Sequence, residues 1–128
     1  MSSKKRVLGR MGVVAFTTTL SLTFATAAYA GTDERIDVAG GEVTFAHQGD
    51  FLDSYDLKAD GYCLTGDLKI NAWHEWSITS CGYNTYKYRS LKQINEGAPL
   101  YIRACYSKKR SDGSIDRVKC TGWQGAHA

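Results

Sequence analysis

Apolar and polar residues alternate with a period of two along most of the chain, and no window beyond the first thirty residues sustains the period of an amphipathic helix. The clearest stretch runs from Pro99 to Trp123. Leu100, Ile102, Ala104 and Tyr106 alternate with Tyr101, Arg103, Cys105 and Ser107, which predicts a half-buried strand, and a return strand follows from Ile115 to Thr121. Between them, Asp112-Gly113 favours a two-residue type I′ turn, because both residues tolerate positive φ. A turn centred there sets Cys105 opposite Cys120. Pro99 opens the first strand of this pair, where a missing amide donor is tolerated.

Shorter patterns precede the hairpin. Val43 and Phe45 alternate with Glu42 and Thr44, and Phe51 to Leu57 makes a second strand after the Gly49-Asp50 break. Tyr62, Leu64, Leu68, Ile70 and Ala72 share a face in what reads as the longest strand, with Gly66 as a bulge or bend. Trp73-His74-Glu75 crosses to a strand at Trp76 to Cys81, and Tyr86 to Ile94 forms another with tyrosines on one side. Gly31 to Ala39 is polar and is expected to fray. Six to seven short strands with glycine turns between them predict an all-β domain, a small antiparallel β-sandwich or barrel.

The first thirty residues do not belong to that pattern. Lys4, Lys5, Arg6 and Arg10 precede an apolar, threonine-rich run from Val13 to Phe24, and Ala28-Tyr29-Ala30 is a small-x-small cleavage site. Residues 1–30 therefore read as a secretory signal peptide cut before Gly31, and residues 31–128 as one extracellular domain. The run is too short and too hydroxylated for a membrane span, and the twin arginine of folded export is missing.

Removing the leader reverses the charge. Four of the 16 Lys and Arg lie in it, leaving 12 against 13 Asp and Glu, so the mature chain is near −1 and a nucleic-acid partner is not expected. The charges are uneven. Gly31 to Glu75 holds 10 acids and 3 bases, and Trp76 to Ala128 holds 3 acids and 9 bases. This division fits solvated faces that attract one another, or a two-sided surface for charged partners.

All four cysteines, Cys63, Cys81, Cys105 and Cys120, lie in the mature chain, and an even number in a secreted domain reads as two disulfides. The hairpin register selects Cys105 with Cys120 and leaves Cys63 with Cys81. Each bridge closes a loop of roughly 15 residues, worth on the order of 3 kcal/mol in the chain-entropy account. No C-x-x-C pair supports zinc instead.

Gly49-Asp50-Phe51, Asp56, Ala59-Asp60-Gly61, Ile94-Asn95-Glu96-Gly97, Arg103, Cys105, Cys120, Trp123 and Gly125 together resemble a pattern in small secreted actinobacterial proteins of unknown function. That resemblance spans most of the mature chain. It implies an all-β extracellular domain and brings no catalytic residues with it.

Candidate chemistry is sparse. Asp50, Asp53, Asp56 and Asp60 invite calcium, but their spacing is not that of a calcium loop, and a strand there points Asp53 and Asp56 to opposite faces. They read better as turn and capping acids, and no resident metal or cofactor is expected. His47, His74 and Glu75 would furnish a general acid and base, with Arg103 to hold a phosphate, if the fold joined them; His127 is near the terminus. Lys108-Lys109-Arg110 reads as a solvated hairpin tip that blunts strand edges. Aromatics are the densest signal: Trp73, Trp76 and Trp123, Phe45 and Phe51, and seven tyrosines. Trp73 and Trp76 flank His74 at a strand end, so Trp73, His74 and Trp76 are the candidate ligand platform, while Trp76 and Trp123 also suit core packing.

The sequence therefore predicts a secreted domain, monomeric or weakly self-associating, that acts by binding. Its expected partner is an extracellular protein or a cell-wall polysaccharide, and inhibition of a secreted enzyme is one form this takes. Two rival readings are a small nuclease-like hydrolase using His47, His74 and Glu75, and a structural component of the cell surface.

Overall fold

In the computed structural model, which describes residues 31–128 apart from Trp73 and Gln93, nine strands form and no helix does among those residues. The predicted signal peptide lies outside the described residues. One sheet takes β1 (Glu34–Val38), β2 (Gly41–Ala46), β3 (Phe51–Asp56) and β6 (Thr85–Ser90), in the order β1-β2-β3-β6. The other takes β4 (Cys63–Lys69), β5 (Glu75–Cys81), β7 (Pro99–Lys109) and β8 (Ile115–Cys120), in the order β5-β4-β7-β8, and β9 (Gln124–His127) also pairs with β7. Every pairing is antiparallel.

The period-two patterns explain the layering. Val43 and Phe45 of β2 and Leu52 of β3 point to the interior of the first sheet; Leu64 and Leu68 of β4 and Leu100, Ile102 and Ala104 of β7 point to that of the second. They form one buried cluster, closed by Ile36, Leu91, Ile94, Ala126 and Ala128. Buried hydroxyls link the layers: Ser54 Oγ donates to the Leu64 carbonyl and Ser80 Oγ to the Ser54 carbonyl, each at 2.6 Å. The all-β expectation and both disulfide pairings hold, with Cys63–Cys81 and Cys105–Cys120 bridged between directly opposed residues.

Four local expectations are corrected. The polar segment after Gly31 is an ordered edge strand, β1, and β9 is a short strand not foreseen, so nine strands replace six to seven. The strand after Tyr86 ends at Ser90, and Leu91 and Ile94 enter the core from irregular backbone. Gly66 is no bulge: it keeps register with Ile78 on one side and Ala104 on the other. Its reason is proximity, because a Cβ there would sit 2.7 Å from Val43 Cγ1 of the facing sheet. Finally, the hairpin tip is a wider loop. Gly113 N donates to the Arg110 carbonyl and Arg110 N to the Ser114 carbonyl, and of Asp112 and Gly113 only Gly113 has positive φ, at 87°. That loop alone would set the cysteines one residue out of step. A bulge at Val118, between the Tyr106–Lys119 and Ser107–Arg117 pairs, restores Cys120 to its place opposite Cys105.

Candidate functional site

The sequence-predicted platform is only partly a surface. His74 is exposed in the β4–β5 turn, where its backbone N (3.0 Å) and its Nδ1 (3.3 Å) both bond Asn71 Oδ1, and its ring stacks on Trp76 with centroids 6.2 Å apart. Trp76 packs its other contacts against the core cluster and is half-buried. Trp73 lies outside the described residues. Trp123 sits on the outer face of the second sheet, with Lys69 Nζ 4.1 Å and Arg103 Cζ 4.5 Å from its ring centroid.

His47 and His74 each bond a residue other than their proposed catalytic partners. His47 Nδ1 meets Asp33 Oδ1 at 2.5 Å, and the same carboxylate accepts from the His47 backbone, so its pKa is held below the ordinary Asp value by those two bonds. No hydrogen bond or ion pair among the described residues joins His47 to His74 or Glu75. Glu75 pairs in register with Lys69 across the β4–β5 ladder.

The four acids disperse as well. Asp60 Oδ1 caps the Tyr62 amide. Asp56, buried under the first sheet, accepts from the Lys58 and Gly82 amides, yet burial outweighs those bonds and raises its pKa. Asp50 occupies the β2–β3 turn at positive φ, and burial followed by the Glu96 charge raises its pKa. Asp53 faces outward, on the opposite side of β3 from Asp56. Among the described residues no group of three or more His, Cys, Asp or Glu side chains is placed to hold a metal.

Two outer faces remain. On the second sheet, Asp67 is wholly buried although it points away from the core, because two long side chains cover it. Arg117 reaches it with Nε at 2.7 Å and Nη2 at 2.5 Å, Arg103 with Nε at 2.9 Å, and Ser77 Oγ donates at 2.6 Å. Burial acts to raise the Asp67 pKa, but these donors outweigh it and hold the carboxyl below its ordinary range. The cluster is internally satisfied, and its chemistry is that of a clamp across four strands.

The first sheet presents the open face. Pairing of β3 with β6 puts Phe51 opposite Ser90, Asp53 opposite Tyr88 and Tyr55 opposite Tyr86. Alternation then sends Phe51, Tyr55, Tyr86 and Tyr88 outward together. Their rings run in one strip: Tyr55 meets Tyr86 edge-on at 6.0 Å, Tyr86 lies 6.2 Å from Tyr88 with planes 31° apart, and Tyr88 meets Phe51 edge-on at 5.8 Å. Tyr86 is 54% and Tyr88 61% exposed. The Tyr55 hydroxyl is fixed by Asn84 Oδ1.

A cleft of about 320 Å³ opens in the strip, lined by Ala46, Phe51, Asp53, Tyr86 and Tyr88. Asp53 lies in it among the rings. Its Oδ2 accepts from Thr44 at 3.3 Å, while Oδ1 is buried without a hydrogen-bond partner. Burial, then a hydrogen bond to Asp53 and the Asp53 charge, push the Tyr86 phenol above its ordinary pKa. Beyond the rings the same face carries Asp37, Glu42 and Arg35, and Arg35 is occupied by both acids at 2.9 and 2.5 Å. The alternating tyrosines were visible in the sequence; what was not is that β6 pairs with β3, which adds Phe51, Tyr55 and Asp53 to them.

Comparison of the chain with protein-family models, curated proteins and solved structures finds no match.

Proposed function

We propose that this protein is a secreted, non-catalytic binding domain that holds an extended polysaccharide against the tyrosine strip of its first sheet. The observation that carries this reading is the contiguous, solvent-facing line Tyr55, Tyr86, Tyr88, Phe51, built on two rigid paired strands. Aromatic faces take the apolar side of a sugar ring, and phenol hydroxyls and flanking polar groups take its edge. The strip is narrow and its flanks are polar, with Thr44, Glu42 and Ser90 beside it. A protein hot spot would instead be ringed by groups that exclude water. Stacking platforms of this kind also serve single-stranded nucleic acid, but those need a cationic groove, and here three carboxylates stand against one already paired guanidinium.

Two disulfides in a small β domain are consistent with an extracellular location, and no helix among the described residues is long and apolar enough to cross a membrane. The proposal places the domain on a wall or environmental polysaccharide outside the cell. His47 and His74, each bonded elsewhere, and the satisfied Asp67 cluster give the hydrolase alternative no support.

The test is retention of oxidised Gly31–Ala128 on a panel of insoluble polysaccharides: cellulose, chitin, chitosan and isolated cell wall. Wild type should be retained on at least one, and Tyr88→Ala should elute earlier at unchanged melting temperature. Passage of the wild-type protein through all four would overturn the reading.

A further inference from the structure

We infer that the cleft beside Asp53 is a subsite for a protonated amino group, so that the polysaccharide held on the strip is one whose sugars carry free amines. This rests on the tyrosine-strip reading and goes beyond it in naming the ligand's chemistry.

The unpaired oxygen is the starting point. An ionised carboxylate is an acceptor only, with lone pairs for several donors. Asp53 accepts from Thr44 at 3.3 Å on Oδ2 and interacts with the Tyr86 hydroxyl, and its Oδ1 keeps no hydrogen-bond partner. A carboxylate oxygen left without a partner is unfavourable, and a donor that reaches this group recovers part of that penalty. No cation among the described residues pairs with it. Arg35, on the same face, is held by Asp37 and Glu42. Lys87 and Arg89 alternate to the other side of β6, and Arg89 Nη1 is turned to the Ser77 carbonyl of β5.

The walls select the sign and size of the missing group. Phe51, Tyr86 and Tyr88 line the cleft together with Asp53, and an aromatic π-face attracts a cation as a carboxylate does. An ammonium brings three donors and a charge in one compact group. Ala46, opposite Phe51 in the β2–β3 register, keeps the floor low enough to admit it. An N-acetyl group has one donor, no charge and added bulk, and a hydroxyl brings no charge. The remaining net charge of the face, with Asp37 and Glu42 against Arg35, also favours an approaching polycation.

The experiment is calorimetric titration of oxidised Gly31–Ala128 with three soluble probes: fully deacetylated glucosamine oligomers, N-acetylglucosamine oligomers of the same length, and an oligolysine peptide. Expected is tighter binding of the deacetylated oligomer, by about tenfold or more, with the preference weakening as salt rises. Asp53→Asn should abolish that preference while leaving the N-acetylated oligomer's affinity in place, and Tyr88→Ala should weaken both. Ala46→Leu, which fills the cleft without altering its charge, should reproduce the loss of preference. Equal binding of both oligomers, unchanged by Asp53→Asn, would overturn the amine subsite and leave the polysaccharide reading standing. Binding of neither oligomer would overturn the amine subsite, and the polysaccharide reading would then be decided by retention of the protein on cellulose and isolated cell wall. Binding of oligolysine alone, sensitive to Asp53→Asn, would overturn the glycan class and assign the cleft to a basic protein segment.

Discussion

Replacing Asp67 by Asn keeps the side chain's size and removes the charge that Arg117, Arg103 and Ser77 address. Breaking a buried ion pair from one side costs about 3–5 kcal/mol, since the partner is left uncompensated. The guanidinium side chains here keep 31% and 25% of their exposure and can turn to water, which lowers the expected loss to about 2–4 kcal/mol. A domain of this size has about 5–15 kcal/mol in all, so the melting temperature should fall on the order of 10–25 °C. The assay is urea and thermal unfolding of the oxidised protein at pH 7, with Asp37→Asn as control. Asp37 also faces an arginine, but in an exposed pair that water screens, so its loss should leave the unfolding transition close to that of wild type. The pH dependence supplies a second signature. The Asp67 carboxyl is held below its ordinary pKa, so its contribution is complete above about pH 5 and is lost as pH falls below about 4, through the folded-state value. The gap between wild type and Asp67→Asn should therefore be level from pH 7 to 5 and close in acid. A variant within about 0.5 kcal/mol of wild type at pH 7 would refute the clamp.

Gly66→Ala should destabilise by about 1–3 kcal/mol through its contact with Val43, and by less in a Val43→Ala background, as a double-mutant cycle by urea unfolding would show. Paired Cys105→Ser and Cys120→Ser substitutions open a loop of 15 residues and should lower stability by about 3 kcal/mol in the same assay. Tyr86→Ala and Tyr88→Ala, on an exposed face, should leave the melting temperature within a few degrees of wild type while weakening polysaccharide affinity about five- to thirtyfold each.

Legibility followed the range of the interaction. The disulfide pairing is readable because a hairpin's register is local and selects Cys105 with Cys120, which leaves Cys63 with Cys81 as the second bridge. Even so, the tip was misjudged: Asp112-Gly113 suggested a two-residue turn, and the wider loop reaches the same pairing only through the bulge at Val118, where nothing in the local sequence announces an extra residue. β1 was missed because Ile36 alone in it is buried, too little for a visible alternation. β9 was missed because it is four residues long and shares β7 with β8, each taking one half of an eleven-residue strand. Gly66 was recognised as special but for the wrong cause, since the Val43 methyls that require it belong to the other sheet. The site suffered most. Trp73, His74 and Trp76 are neighbours in sequence and so drew attention, whereas Phe51, Asp53 and Tyr55 meet Tyr86 and Tyr88 only through the non-local β3–β6 pairing.

The account's central claim is that the tyrosine face of the first sheet, and no other surface, meets the ligand. Its most direct test is backbone and aromatic NMR mapping of oxidised Gly31–Ala128 during titration with soluble glucosamine oligomers. The account predicts saturable shifts centred on Phe51, Asp53, Tyr55, Tyr86 and Tyr88. Shifts centred instead on Arg103, Arg117 and Trp123, or no saturable shift at all, would contradict it.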